Sequence, residues 1–181
     1  MKTLIYILLL ILSGGLAQAQ QKAESKTKLE TFQARTGSVV VKNYSEIGSV
    51  TGIGSASVNS YEFVDAQTSK GEYGIGIIVK GGGRIERESS TYVDYDEIDS
   101  LLKGLDYISK VTKEQSNLKN FEAHYRTVGD LDVSTFSSRE SIASAVTVRR
   151  LSDVSVYFEL DQLAKFRQLI VDAKAALDAV K

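Results

Sequence analysis

The apolar residues of this chain change their spacing twice, and each change marks a passage from strand to helix. Tyr73, Ile75, Ile77 and Val79 alternate with Gly74, Gly76, Ile78 and Lys80. That period of two belongs to a strand with one buried face. Further on, Ile98, Leu101, Leu105 and Ile108 are spaced by three, four and three, with Leu102 beside them. Such spacing lays one apolar stripe along a helix. Asp94 and Glu97 stand three apart just before it, the separation a capping box needs.

Three further strands belong with the alternating segment. Val39, Val40 and Val41 open one that continues past Tyr44 towards Val50, and Val58, Tyr61, Phe63 and Val64 mark the next. The turn Ser69-Lys70-Gly71 follows, and Gly81-Gly82-Gly83 leads into a return strand from Arg84 to Val93 with Ile85, Thr91 and Val93 on one side. The chain has no proline, so its turns rest on Gly, Asn, Asp and Ser, which tolerate positive φ.

The second half repeats this order. Asn120–Val128, Leu131–Phe136, Ile142–Arg150 and Val154–Phe158 read as strands, with Gly129-Asp130 as a turn. From Glu159 to Lys181 the pattern is helical, carried by Leu163, Phe166, Ile170, Ala173, Leu177 and Val180. An offset of 65 positions lays Val93 on Phe158, Asp96 on Asp161, Ile98 on Leu163, Leu101 on Phe166 and Leu105 on Ile170. The expected fold is α+β: two ββββα units, 37–113 and 114–181, with antiparallel sheets each followed by a packed amphipathic helix. One such unit leaves a sheet face partly open, and two can cover each other within one compact domain.

The order ββββα–ββββα over Gly37–Lys181 resembles the fold of the PUR-type and Whirly-type single-stranded nucleic-acid binding proteins. The resemblance lies in element order and carries over no functional residue. It implies single-stranded nucleic-acid binding as one expectation. The charge balance works against it. The 22 Lys and Arg against 23 Asp and Glu leave none of the basic excess through which phosphate contacts drive affinity.

The N-terminus adds a statement about location. Lys2 precedes an apolar run from Leu4 to Leu12, which passes through Ser13-Gly14-Gly15 to Ala17-Gln18-Ala19. A short positive start, a hydrophobic stretch and an Ala-x-Ala-like end describe a secretory signal peptide over 1–19, cut between Ala19 and Gln20. The run is about half the roughly 20 apolar residues that span a bilayer. An exported protein, periplasmic or extracellular, without a membrane span in its mature chain is therefore expected. Residues 20–36 read as a flexible polar arm with room for one helical turn, whose only large apolar residues are Leu29 and Phe32. Absence of cysteine removes thiolate nucleophiles and thiolate metal sites. The roughly 160 mature residues are enough to fold without disulfides.

Each candidate for chemistry has a plainer account beside it. Asp94, Asp96, Glu97 and Asp99 could supply oxygen ligands to Ca²⁺, but EF-hand spacing is missing, and acids at a helix start serve capping and the macrodipole. His124 is the sole histidine, two residues from Glu122 and Arg126, as on a solvated strand face. Gly52-Ile53-Gly54 and Gly74-Ile75-Gly76 lack the following helix that a phosphate cradle requires and read as bends or close approaches. No cofactor is expected. Arg84, Arg87, Tyr92, Arg126, Arg149 and Arg150 mix basic and aromatic residues on strands, with Glu86, Glu88 and Glu122 interleaved. Within this set, together with His124, the candidate binding residues are Arg84, Arg87, Tyr92, His124 and Arg126. The stripe of the last helix spans about three heptads and suits a homodimer as well as packing on its own sheet.

The expected function is a non-catalytic, exported module that binds a protein or small ligand through a sheet surface, and not an enzyme. The alternatives are a hydrolase or lyase working with carboxylates alone and single-stranded nucleic-acid binding.

Overall fold

The computed structural model describes residues 26–111, 118–138, 141–150 and 152–181. The leader with its Ala19–Gln20 cleavage point and the boundary between the two units at 113/114 lie outside them. The elements run in the order α1 (Lys28–Gln33), β1 (Val40–Gly52), β2 (Gly54–Asp65), β3 (Gly71–Gly81), β4 (Arg87–Asp94), α2 (Ile98–Ile108), β5 (Glu122–Arg126), β6 (Leu131–Ser138), β7 (Ser141–Arg149), β8 (Asp153–Glu159) and α3 (Leu160–Asp178). One turn of 3-10 helix at Tyr95–Glu97 leads into α2. Strands β1–β4 form one antiparallel meander and β5–β8 a second. The fold is α+β, with two four-stranded sheets each followed by a helix.

The helices trade places. α2 follows the first sheet in the chain yet lies on β5 and β6, while α3 follows the second sheet and lies mainly on β1, β2 and β3. A single core results. Val58, Ile75, Ile77, Val93, Leu101 and Leu105 from the first half pack with Val133, Val146, Val156, Phe166 and Ile170 from the second. Each sheet thus has its apolar face closed by the other unit's helix, which answers the open-face problem of a lone ββββα unit.

The repeat extends into polar detail. The Ser60 hydroxyl on β2 donates to the carbonyl of Ala173 in α3 at 3.0 Å. The Thr135 hydroxyl on β6 donates to the carbonyl of Ile108 in α2 at 2.8 Å. Ile108 and Ala173 are related by the same offset of 65. Packing at the helix–strand junctions is complementary in size. Leu169 of α3 lies over Gly48 of β1, whereas Gly104 of α2 lies under the ring of Tyr125 in β5. A large residue faces glycine in both places, with the roles exchanged.

The hairpin tips close the sheet edges in the same paired manner. Ile53, between β1 and β2, exchanges backbone hydrogen bonds with Tyr157 on β8 at 3.0 and 3.3 Å. Gly129, between β5 and β6, sits against β4, where its carbonyl accepts from the Thr91 hydroxyl. A Cβ at Gly52 would collide with the carbonyl oxygen of Tyr157, and one at Gly129 with that of Tyr92. These tyrosines are again 65 positions apart. Each tip thus covers part of an edge that another chain could otherwise pair with. Gly52→Ala and Gly129→Ala are each expected to destabilise by about 1–3 kcal/mol through overpacking. Urea unfolding checks this, and a loss below about 0.5 kcal/mol in either variant would mean that the tips are not seated.

Four expectations are corrected. Within the stretch read as a flexible polar arm, residues 28–33 are helical. Thr27 and Glu30 form a reciprocal capping box, and Leu29 and Phe32 are buried against Tyr61 and Phe63 on the outer face of the first sheet. Fully burying an aliphatic or aromatic side chain contributes about 1.5–3 kcal/mol, so two such side chains suffice to dock one short helix. Secondly, Asp94 does not cap α2, because its carboxylate accepts from the backbone N–H groups of Lys28 at 2.7 Å and Leu29 at 3.1 Å. Glu97 accepts from the N–H of Val128 instead. Thirdly, β4 starts at Arg87, leaving Ile85 exposed in the turn. Finally, the α3 stripe from Leu163 to Leu177 packs within its own chain but mainly on the first sheet and not on its own, so it offers no surface for a coiled-coil dimer.

Candidate functional site

The second sheet has one face in the core and one open, and its alternation decides which side chains stand where. Leu131 and Val133 of β6, Val146 and Val148 of β7, and Val154 and Val156 of β8 face inward. Their neighbours Asp132, Ser134, Ala145, Thr147, Ser155 and Tyr157 therefore face out. The register aligns them in cross-strand rows. One row runs Arg126, Asp132, Thr147, Ser155, and the next runs His124, Ser134, Ala145, Tyr157. Small residues in mid-sheet and larger ones around them make a concavity of about 880 Å³.

Asp132 organises the charged end of this trough. It is only 1% exposed, and its carboxylate meets three nitrogen-bearing side chains. His124 Nδ1 lies 2.9 Å from Oδ1, while Oδ2 accepts from Arg126 Nη2 at 2.8 Å and from Arg149 Nε at 3.0 Å. Burial pushes the Asp132 carboxyl up, but hydrogen bonds from His124 and Arg126, with the charges of His124 and Arg149, outweigh it and hold the carboxyl below its usual range. The same hydrogen bond raises the Arg126 guanidinium further. Outward from this centre, Glu122 Oε1 lies 3.0 Å from His124 Nε2, and Asp153 pairs with Arg149 at 2.9 Å. The Thr147 and Ser155 hydroxyls share a hydrogen bond of 2.8 Å on the trough floor.

At its other end the trough turns apolar. The rings of Phe136 and Tyr157 meet edge to face, 6.5 Å apart. Beyond them a groove of about 1090 Å³ passes Ile53, Ile142, Ala143 and Leu160. Ile53 is 67% exposed. Its presence there follows from docking of the first sheet's hairpin tip on β8, so the groove exists only in the assembled pair of units.

The five expected site residues fall in separate places. His124 and Arg126 meet at Asp132. Arg84 lies in the β3–β4 turn, and Arg87 is exposed at the start of β4. Tyr92 stands on the outer face of the first sheet, where it packs edge to face with Tyr61 and Phe63 and accepts from Lys42 Nζ at 2.9 Å. The five therefore form no common surface. Missing from the expected set were Asp132 at the centre and the trough's Ser134, Phe136 and Tyr157. Hairpin arithmetic carried a signal for Asp132. A turn over Val128–Asp130 sets Thr127 opposite Leu131 and Arg126 opposite Asp132, and alternation puts Arg126 and Asp132 on the face opposite Leu131 and Val133.

The acidic set before α2 also disperses. Asp94 caps α1, Asp96 pairs with Lys28 at 2.7 Å, Glu97 accepts from Val128, and Asp99 approaches Lys174 at 3.8 Å. Among the described residues no group of three or more His, Cys, Asp or Glu is placed to hold a metal ion. No helix among them is long and apolar enough to cross a membrane. Compared with known proteins, the chain matches no family model, no curated protein and no solved structure.

Proposed function

We propose that this protein is an exported, non-catalytic binding module whose ligand lies along the outer face of the second sheet. The observation that carries this reading is the continuity of the Asp132-centred trough with the apolar groove at Phe136 and Tyr157. A ligand suited to both ends is close to neutral, with hydroxyl or amide groups at one end and an apolar part at the other. Close pairing favours a ligand without net charge, since Arg126 and Arg149 face Asp132, Arg149 also faces Asp153, and Glu122 faces His124. Those pairings also support binding over turnover. Each trough carboxylate is committed to a cation or to His124, whereas general acid–base work needs a group free to exchange its proton with substrate.

A thermal-shift panel of alkyl glucosides, aryl glycosides and short uncharged peptides tests the reading. A ligand at about one hundred times its Kd adds about 2.7 kcal/mol to folded stability, a rise of several degrees. The expected outcome is a hit whose shift disappears in Phe136→Ser or Arg149→Ala while the unliganded protein stays folded. Hits that survive both changes would place the ligand elsewhere. Turnover of a hydrolase substrate panel would favour the carboxylate enzyme, and retention on single-stranded DNA that falls steeply with salt would favour the nucleic-acid reading.

A further inference from the structure

Strand β1 is a thirteen-residue edge strand. It pairs with β2 on one side, and among the described residues no backbone group pairs with it on the other. Residues 41–46 are all exposed on it. The remaining edges are managed differently. β4 and β8 carry the hairpin tips of the opposite unit, and β5 is five residues long. A long strand edge with free N–H and C=O groups is a template for another strand, and the side chains of β1 indicate which strand fits.

Around Tyr44 the sequence Val41-Lys42-Asn43-Tyr44-Ser45-Glu46-Ile47 complements its own reverse. In an antiparallel pairing of two copies about a twofold axis at Tyr44, Lys42 stands opposite Glu46 of the second copy, and Glu46 opposite its Lys42. Asn43 meets Ser45, and the two Tyr44 side chains meet at the axis. Lys42, Tyr44 and Glu46 share one face of the strand by alternation. Isologous contacts of this kind, residue i to j and j to i, are the requirement of a twofold interface. Opposite charges directly across strands are favourable, and like charges there are not.

We propose that the β1 edge is a self-association surface, through which two copies of this chain join their first sheets into one eight-stranded antiparallel sheet. Three local features support a second copy over an unrelated strand. Within its own chain Lys42 contacts aromatic rings and the Tyr92 hydroxyl and has no carboxylate partner among the described residues. Glu46 likewise has no cation partner there. Tyr44 is 61% exposed at the centre of symmetry, 5.8 Å from the ring of Tyr61. The register break between Glu46 and Gly48 bends the strand just beyond the charged pair and limits the length of pairing. β5 has a similar charge order, but its Glu122 and Arg126 are already engaged with His124 and Asp132.

The decisive experiment is a charge swap read by sedimentation equilibrium of the purified protein over about a hundredfold range of concentration. Wild type is expected to show a monomer–dimer equilibrium. Lys42→Glu and Glu46→Lys each create two like-charge oppositions by symmetry, and each is expected to weaken the dimer at least about tenfold. The double variant Lys42→Glu/Glu46→Lys restores opposite charges and is expected to recover association to within about threefold of wild type. If Lys42→Glu disturbs the aromatic cluster, seen as altered near-ultraviolet circular dichroism, Glu46→Lys alone still decides the matter. A wild type that stays monomeric throughout, or a dimer indifferent to Glu46→Lys, would overturn the proposal. Neither outcome bears on ligand binding at the second sheet.

Discussion

Replacing Phe166 with alanine is expected to destabilise the protein by about 3–5 kcal/mol, the usual cost of deleting a fully buried aromatic side chain. Phe166 is completely buried in the middle of α3, a helix that follows the second sheet but covers the first. Its core neighbours come from both halves, so the loss should be felt by the protein as a whole. Equilibrium unfolding in urea, followed by far-ultraviolet and tyrosine signals, is the appropriate measurement. The midpoint should fall with little change in slope, and both signals should stay coincident. A loss below about 1 kcal/mol would contradict the packing described. Separate transitions would contradict the single shared core.

Asp132→Ala is the second large effect, about 2–4 kcal/mol near neutral pH. Removing the carboxylate leaves Arg126 and Arg149 facing each other across a buried position. The cost stays below the upper figures for fully buried pairs because Arg126 is 51% and Arg149 36% exposed in their side chains and both can turn into water. Its pH dependence has a definite sign. The folded-state carboxyl lies below the value of about 3.9 for an unfolded aspartate, so its contribution is complete above about pH 5. It is lost as pH falls through the folded-state value. The gap between wild type and Asp132→Ala should therefore close as pH falls below about 5. Asp65, Asp96, Asp106 and Asp178 are lowered as well and add to acid sensitivity in the same sense. Glu97 runs the other way. Burial raises its carboxyl, and the charges of Asp94 and Asp96 raise it further against the Val128 N–H. Its contribution is present at low pH and lost as pH rises through the folded value. Unfolding curves from pH 3 to 5 check the sign for Asp132, and a difference between wild type and Asp132→Ala that is larger at pH 3 than at pH 5 would refute the assignment.

Period-two and period-3.6 spacing located seven strands and both long helices to within a few residues, because burial on one face writes itself into local order. The return strand begins two residues after Ile85, although a β-branched residue in an exposed turn resembles a strand residue. Helix α1 was harder to see. Leu29 and Phe32 are too few to make a pattern, and their burial depends on Tyr61 and Phe63, which lie far along the chain. The capping box at Thr27 and Glu30 is its one local sign. The one assigned to Asp94 and Glu97 had the right spacing, but both carboxylates found better donors in other elements. At the site, His124 and Arg126 were legible as neighbours on one strand face. Their partner Arg149 arrives from two strands away.

The chain's local order by itself determined that two ββββα units would form, which residues would face the core, and where each strand gives way to its helix. These properties follow from side chains close in sequence, whose spacing alone sets a common face. Tertiary structure decided which sheet each helix covers, that each hairpin tip closes the opposite unit's edge, and that Asp132 gathers His124, Arg126 and Arg149. Those outcomes come from contacts between residues far apart in the chain, where steric fit and the burial of charge select the partner and local spacing carries no record of it.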